Sequence, residues 1–286
     1  WCVKGVMLRP WSAVSEKVVG RLAKEKAVQA EATDETIRLE ERFIQHPARA
    51  IEQSRITINS MAAEAQENLA EAVRLLHHYS DEGYRTVVEM EQVVDRYEDR
   101  LGSYLVKLTG QELSSKQNED ASKFLHTISD FERISDHALN IAQTAKEMRE
   151  KSIVFSDDAL RELAVLESAL AEIVHITVNA FIRNDLSLAS RVEPLEELID
   201  DLCDELKLHH VDRLQKGHCT LLNGFLFNDL LTNYERVADH CSNIAVAMIE
   251  LESDSFDTHE YLSSIKEMKS DTYERYYEEY SQQYHL

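Results

Sequence analysis

Glu132 and Asp136 stand four residues apart, and so do Glu235 and Asp239, inside two copies of one motif, DFERISDHALNIA at 130–142 and NYERVADHCSNIA at 233–245. Seven of the thirteen positions are identical. A second pair of acids precedes each copy: Glu91 and Asp95 in EQVVDRYEDRL at 91–101, Glu196 and Asp200 in EELIDDLCDEL at 196–206. On a helix, residues four apart share a face, and two carboxylates there repel by a few tenths of a kcal/mol, whereas a solvent face usually sets Glu against Lys. If adjacent antiparallel helices bring the pairs together, four carboxylates converge, an arrangement best tolerated around a cation. All-oxygen ligation points to hard or borderline ions such as Mg²⁺, Ca²⁺, Mn²⁺ or iron. One such pair is common on an acidic surface. Four in matched positions of two repeats favour metal, with Glu91, Asp95, Glu132 and Asp136 as one candidate set and Glu196, Asp200, Glu235 and Asp239 as the other.

His137 and His240 directly follow an acid, about 100° round the helix from it, and are read as partners of that neighbouring carboxylate rather than as ligands. A ferritin-like di-iron oxidase would need Glu-x-x-His on its helices. Here Ser135 and Ala238 occupy the third position after Glu132 and Glu235. The sequence also offers no obvious nucleophile, no Gly-rich phosphate loop and no separate general base, so a metalloenzyme ranks last among the functional classes and no catalytic residue is assigned.

Helices must position these acids. Seven Gly and three Pro in 286 residues leave few tight turns, and long Ala-, Leu-, Glu-, Lys- and Arg-rich runs carry helical periodicity. The expected fold is all-α, with helices near 48–78, 82–115, 118–151, 157–184, 187–216, 221–252 and 258–284. Ser156 is a plausible N-cap, and Pro194 implies a kink or a fresh start inside the fifth segment. Phe131, Ile134, Ala138 and Ile141 form the apolar stripe opposite the acids, and Tyr234, Val237, Cys241 and Ile244 repeat it. The first acid pairs are offset by 105 residues and the motif copies by 103. Two tandem three-helix bundles of long antiparallel helices therefore fill 48–151 and 157–252, between a basic flanking segment at 1–47 and a C-terminal helix at 258–286. On that last helix, the stripe of Tyr273, Tyr276, Tyr277, Tyr280 and Tyr284 packs on its own bundle or, alternatively, forms a homodimer surface.

Net charge excludes nucleic acid as a partner: −22 overall, and −26 once residues 1–30, with six cations against two acids, are set aside. Four scattered cysteines suggest neither a zinc ribbon nor a disulfide framework. No apolar run reaches the roughly 18 residues of a membrane span. Leu8, Trp11, Val14, Val18 and Leu22 recur at helical spacing beside the basic residues, the pattern of an amphipathic segment at a membrane surface or of an ordinary docked helix. Trp1 stands where a translation product has Met, which suggests a piece of a longer chain.

FERISDHALNIA and YERVADHCSNIA, each preceded by a helix with E-x-x-x-D, resemble the duplicated signature of PhoU proteins, regulators of phosphate uptake built as two three-helix bundles. The resemblance covers about 55–252. It implies multinuclear metal clusters on the E(D)xxxD acids, at the eight positions named above, with iron, zinc, manganese or magnesium as the metal. The family often has Gly before the motif Asp, so Ser135 and Ala238 predict looser helix packing there. LEERFIQHPARAIEQSR at 39–55 resembles the segment that joins the membrane part of sodium/phosphate cotransporter proteins to a cytoplasmic PhoU-like tail. The combined expectation is a regulatory, non-enzymatic domain at the cytoplasmic face of the cell membrane, within an integral membrane protein, partnered by a transporter part of the same chain. A free-standing PhoU-type regulator is the alternative.

Overall fold

The computed structural model describes residues 39–253 and 259–286. The basic amphipathic start expected at 1–30 lies outside the described residues. A 3₁₀ turn at Glu41–Gln45 leads into α1 (Pro47–His77), which opens with Pro at its first position, where no backbone donor is needed. α2 (Asp81–Thr109) begins where the Ser80 side chain accepts from the Gly83 amide at 3.0 Å, with Asp81 and Glu82 favourably placed on the positive end of the helix. α3 (Ser115–Lys151) starts with a reciprocal capping box between Ser114 and Gln117 and stops where Ser152 turns left-handed at φ 54°.

α4 (Asp157–Arg183) is capped by Ser156, as expected, and closed by Asn184 at φ 52°. The fifth predicted helix divides in two. The short α5 (Leu186–Ala189) is capped by Asp185, and α6 (Val192–Gln215) starts afresh with Pro194 in its first turn. α7 (Leu221–Ser253) and α8 (His259–Gln283) complete the chain, with no strand among the described residues.

α1, α2 and α3 pack as one bundle, α4, α6 and α7 as the other, and the motif helices α3 and α7 lie against each other between them. α3, with 37 residues, is about 55 Å long. The predicted apolar stripes are the core: Phe131, Ile134, Ala138, Ile141, Tyr234, Val237, Cys241 and Ile244 are all buried. Phe131 meets Phe181 of α4 edge-on at 5.1 Å. α4 is the one helix among the described residues long and apolar enough to cross a membrane, and 61% of its most apolar window is buried inside the bundle.

The packing around Ser135 and Ala238 corrects the expectation of looseness. Both are buried, and the Ser135 hydroxyl accepts a 2.7 Å hydrogen bond from Asn68 of α1, so the extra atoms are absorbed into a direct helix-to-helix contact. α8 folds back onto its own chain: Tyr277 bonds Asp201, Tyr284 bonds Glu172, and the Tyr280 hydroxyl accepts from Arg191 at 3.2 Å. The tyrosine stripe is thus used within the chain.

Candidate metal centre

On the second bundle, α6 supplies Glu196 and Asp200 one turn apart, and α7 supplies Asp239. One ligand oxygen from each of the three lies within 4.8 Å of the others, the only such acidic or metal-ligating group among the described residues. Burial, followed by the charges of Asp200 and Asp239, pushes the Glu196 carboxyl up to about 7, and burial, followed by those of Glu235 and Asp239, pushes the Asp200 carboxyl up to about 6. Asp200 Oδ1 is buried with no hydrogen-bond partner. A buried carboxylate oxygen without a donor is costly, and a cation among three converging carboxylates would remove both the repulsion and the orphaned acceptor. These residues therefore fit a hard, oxygen-preferring ion better than zinc, which favours nitrogen and sulfur.

Glu235 is not part of that trio. Its Oε2 accepts from Lys207 at 3.1 Å, and the same ammonium reaches Asp204 at 3.0 Å. Sequence reasoning missed Lys207. The signal was there: at the offset of 105 that pairs Glu91 with Glu196, Lys207 falls opposite Gly102, so the second repeat carries a cation that the first lacks.

The first bundle arranges its acids differently. Burial and the charge of Asp136 raise the Glu132 carboxyl to about 7, and burial followed by Asp136 and Asp95 raises Glu91, so the four helix acids do share a field. Asp95, however, is exposed on the outer side of α2. Arg133 lies over the pair on α3, with Nη1 2.7 Å from Asp136 and Nε 3.4 Å from Glu132. In the second bundle Arg236 bonds Asp239 alone, at 3.1 Å. An arginine thus reaches the motif Asp on both faces, but only Arg133 also reaches the motif Glu, and only the second face brings three carboxylates together.

The two histidines act between bundles instead of beside their neighbouring acids. His137 Nδ1 lies 2.9 Å from Asn233 Oδ1, and His240 Nδ1 lies 2.9 Å from Asp130 Oδ1. Residues 130 and 233 are the opening positions of the two motif copies, so each histidine grips the start of the other repeat. The motif is kept together by two jobs: its acids face outward, and its histidines bind the two copies to each other.

Two helical repeats, each with an acidic helix face and joined along their motif helices, define a tandem three-helix-bundle protein. The PhoU domain profile matches residues 58–145 and 165–248, and the chain belongs to the PhoU domain family. A PhoU homolog 1 of Thermotoga maritima, named as a phosphate-specific transport system accessory protein, is 23% identical over 197 residues, 68% of this chain and 84% of the relative. The protein of the same system in Edwardsiella tarda is 25% identical over 198 residues, 68% of this chain and 79% of the relative. The crystal structure of PhoU from Pseudomonas aeruginosa superposes with a TM-score of 0.66 at 21% identity, covering 70% of this chain and 96% of that one. The phosphate transport system regulatory protein PhoU from Streptococcus pneumoniae gives a TM-score of 0.62 at 18% identity, covering 75% and 98%.

These relatives overturn the expected placement in an integral membrane protein. The aligned repeats occupy 79–84% of the curated relatives, which leaves them no room for a transporter part. The short resemblance of 39–55 to a cotransporter junction rested on a segment that, in the structure, caps the first bundle: Phe43 and Ile44 are buried there, and Glu41 bonds Lys107 of α2.

Proposed function

We propose that this protein is a PhoU-type accessory regulator of phosphate transport, whose acidic helix faces bind metal. The relatives' names supply the transport system, and the convergence of Glu196, Asp200 and Asp239 on a two-bundle fold is the observation that carries the reading. The role is regulatory: the acids are arranged to hold an ion, and control of a partner requires only two arrangements whose populations an ion or a phosphate signal can bias. In this reading Glu196, Asp200 and Asp239 form the principal site, with Glu235 available when Lys207 moves away. Glu91, Asp95, Glu132 and Asp136 form a second, weaker site. Magnesium, manganese and iron suit the oxygen donors.

The test is phosphate uptake in cells lacking this gene, complemented with the wild-type chain or with the triple variant Glu196→Gln, Asp200→Asn, Asp239→Asn. Wild type should restore repression of uptake at high external phosphate, and the triple variant should restore it only in part. Uptake that is unchanged by deletion of the gene would overturn the regulatory reading. Full complementation by a triple variant shown to have lost its metal would overturn the role of the ion.

A further inference from the structure

The last helix lies on a face of α6 that the second repeat has to itself. Residues 192–206 of α6 carry seven acids and no cation. Three of them, Glu193, Glu197 and Asp201, stand at i, i+4 and i+8 and so form one stripe, adjoining the ligand pair Glu196 and Asp200. At the offset of 105, the first repeat has Val88, Gln92 and Arg96 in those three places. α8, which lies outside both matched repeats, packs along this stripe. The Tyr277 hydroxyl donates to Asp201. One turn earlier, burial followed by the charges of Glu197, Glu193 and Glu196 pushes the Tyr273 hydroxyl up to about 12, so Tyr273 faces the rest of the stripe and one of the three ligands.

α8 is anchored at its C-terminal end and set against like charge further back. Tyr280 and Tyr284 are 1% and 4% exposed. The Tyr280 hydroxyl accepts from Arg191 at 3.2 Å, and the same guanidinium lies 5.0 Å over the Tyr276 ring. Tyr284 and Gln283 both bond Glu172 of α4, the glutamine at 3.0 Å. Residues 271–279, by contrast, hold Asp271, Glu274, Glu278 and Glu279 against a single cation, Arg275, which is 60% exposed and reaches Glu279 of its own helix at 3.9 Å. Two acidic helices thus lie side by side, and their like charges oppose the contact that the tyrosines make. Glu196 belongs to both places at once: it is a member of the carboxylate trio and one of the charges that act on Tyr273.

We propose that α8 is a strap whose grip on α6 is set by metal occupancy of the second face. With a divalent cation among Glu196, Asp200 and Asp239, α6 loses negative charge and residues 271–279 close on the acid stripe. Without it, repulsion loosens them while Tyr280 and Tyr284 keep the end of the helix in place. This rests on the metal reading of that face and deepens it: occupancy becomes the position of a helix outside the repeats, which supplies two arrangements of the kind that control of a partner requires.

Amide hydrogen exchange of the full chain tests this, at about pH 8 so that the raised carboxyls are ionised, in Mn²⁺ or in chelator. The amides of 271–279 should exchange at least about threefold more slowly with Mn²⁺. In chelator, Glu193→Gln, Glu197→Gln, which leaves all three ligands in place, should slow them to a similar extent. Tyr277→Phe should speed them, with circular dichroism verifying the fold of each variant. Unchanged or faster exchange in protein that calorimetry shows to be loaded with Mn²⁺ would overturn the strap and leave the metal site standing, whereas calorimetry without binding would overturn the metal reading and the strap with it. No slowing in the glutamine pair would remove the electrostatic cause and overturn the strap. Slowing by Mn²⁺ that persists in Glu196→Gln, Asp239→Asn would reduce the effect to screening of an acidic surface, and would overturn it too.

Discussion

His137 and His240, the same position of the two repeats, stack across the interface of α3 and α7 with ring centroids 5.6 Å apart and planes inclined by 30°. Each ring is oriented by a residue of the opposite repeat, Asn233 for His137 and Asp130 for His240, and Asn243 adds a 3.3 Å bond to the same Asp130 oxygen. The arrangement is nearly two-fold. Its one broken element is Asp130 against Asn233, so only one histidine faces a carboxylate. Burial lowers the pKa of His137, and the hydrogen bond to Asn233, which acts to raise it, offsets that only in part.

Replacing either histidine by alanine removes one cross-repeat hydrogen bond and the ring contact, so each single variant should lose about 1–2 kcal/mol of unfolding free energy. The double variant should lose less than the sum, by about 0.5–1 kcal/mol, because both singles remove the same stack. Urea unfolding of the four proteins measures this. Strict additivity would mean that the rings do not interact.

The fold was legible because its causes are local and repeated. Periodicity placed the helices, the cap at Ser156 and the restart before Pro194 followed from single residues, and the buried stripes through Phe131 and Tyr234 were visible at helical spacing. The site was only half legible. Spacing places acids on a face, but whether they converge depends on which cations reach them from neighbouring turns and helices. Arg133 crosses back over its own pair, and Lys207 reaches from α6 to Glu235 on α7. The histidine partners could not be read at all, since residues 130 and 233 meet 240 and 137 only after the repeats dock.

The two acidic faces should differ in affinity. A cation entering the second bundle meets three converging carboxylates with Arg236 on Asp239 alone, whereas one entering the first meets no such trio and Arg133 on both Asp136 and Glu132. Titration with Mn²⁺ should give a tighter and a weaker phase, the tighter one lost in Glu196→Gln, Asp239→Asn. Removing a fixed positive charge from a partly solvated site is worth on the order of 1 kcal/mol. Lys207→Met should therefore tighten the first phase about fivefold and Arg133→Gln the second, and calorimetry with either variant unchanged would refute the assignment of these two cations as the limiting charges.

Protons should compete with metal at the second face. Glu196, held up to about 7, and Asp200, held up to about 6, both carry protons in the metal-free fold well above the ordinary carboxylate range. Mn²⁺ affinity should consequently fall steeply as pH drops from 8 to 6, with proton release on binding that is larger at the lower pH. Stability of the metal-free protein has the opposite sign. These carboxyls bind protons more tightly folded than unfolded, so the folded state gains as pH falls from about 7.5 toward 5 and loses that gain as pH rises through the folded values. Thermal melts in chelator across that range, repeated with Glu196→Gln, should show a shallower slope in the variant.

Glu167 offers the most direct test of what holds the two repeats in register. Only 5% exposed on α4, it accepts a 3.0 Å hydrogen bond from Tyr234 of α7 and lies 2.8 Å from His77 Nε2 at the end of α1, tying both bundles to one carboxylate. The Glu167 hydrogen bond raises the His77 pKa above its ordinary value against the opposing effect of burial. The sign follows: His77 adds stability that is complete below its unfolded pKa and disappears as pH rises through the higher folded one. Glu167→Ala strips the partner from the buried Tyr234 hydroxyl and from the more exposed His77 and should cost about 2–3 kcal/mol, whereas Glu167→Gln keeps hydrogen-bonding atoms in place and should cost about 1 kcal/mol. The glutamine variant should also lose the His77 part of the pH dependence, with the His77 ring titrating at lower pH by NMR. A glutamine variant whose His77 titrates as in wild type would show that the carboxylate charge is not what holds α1 to the second bundle.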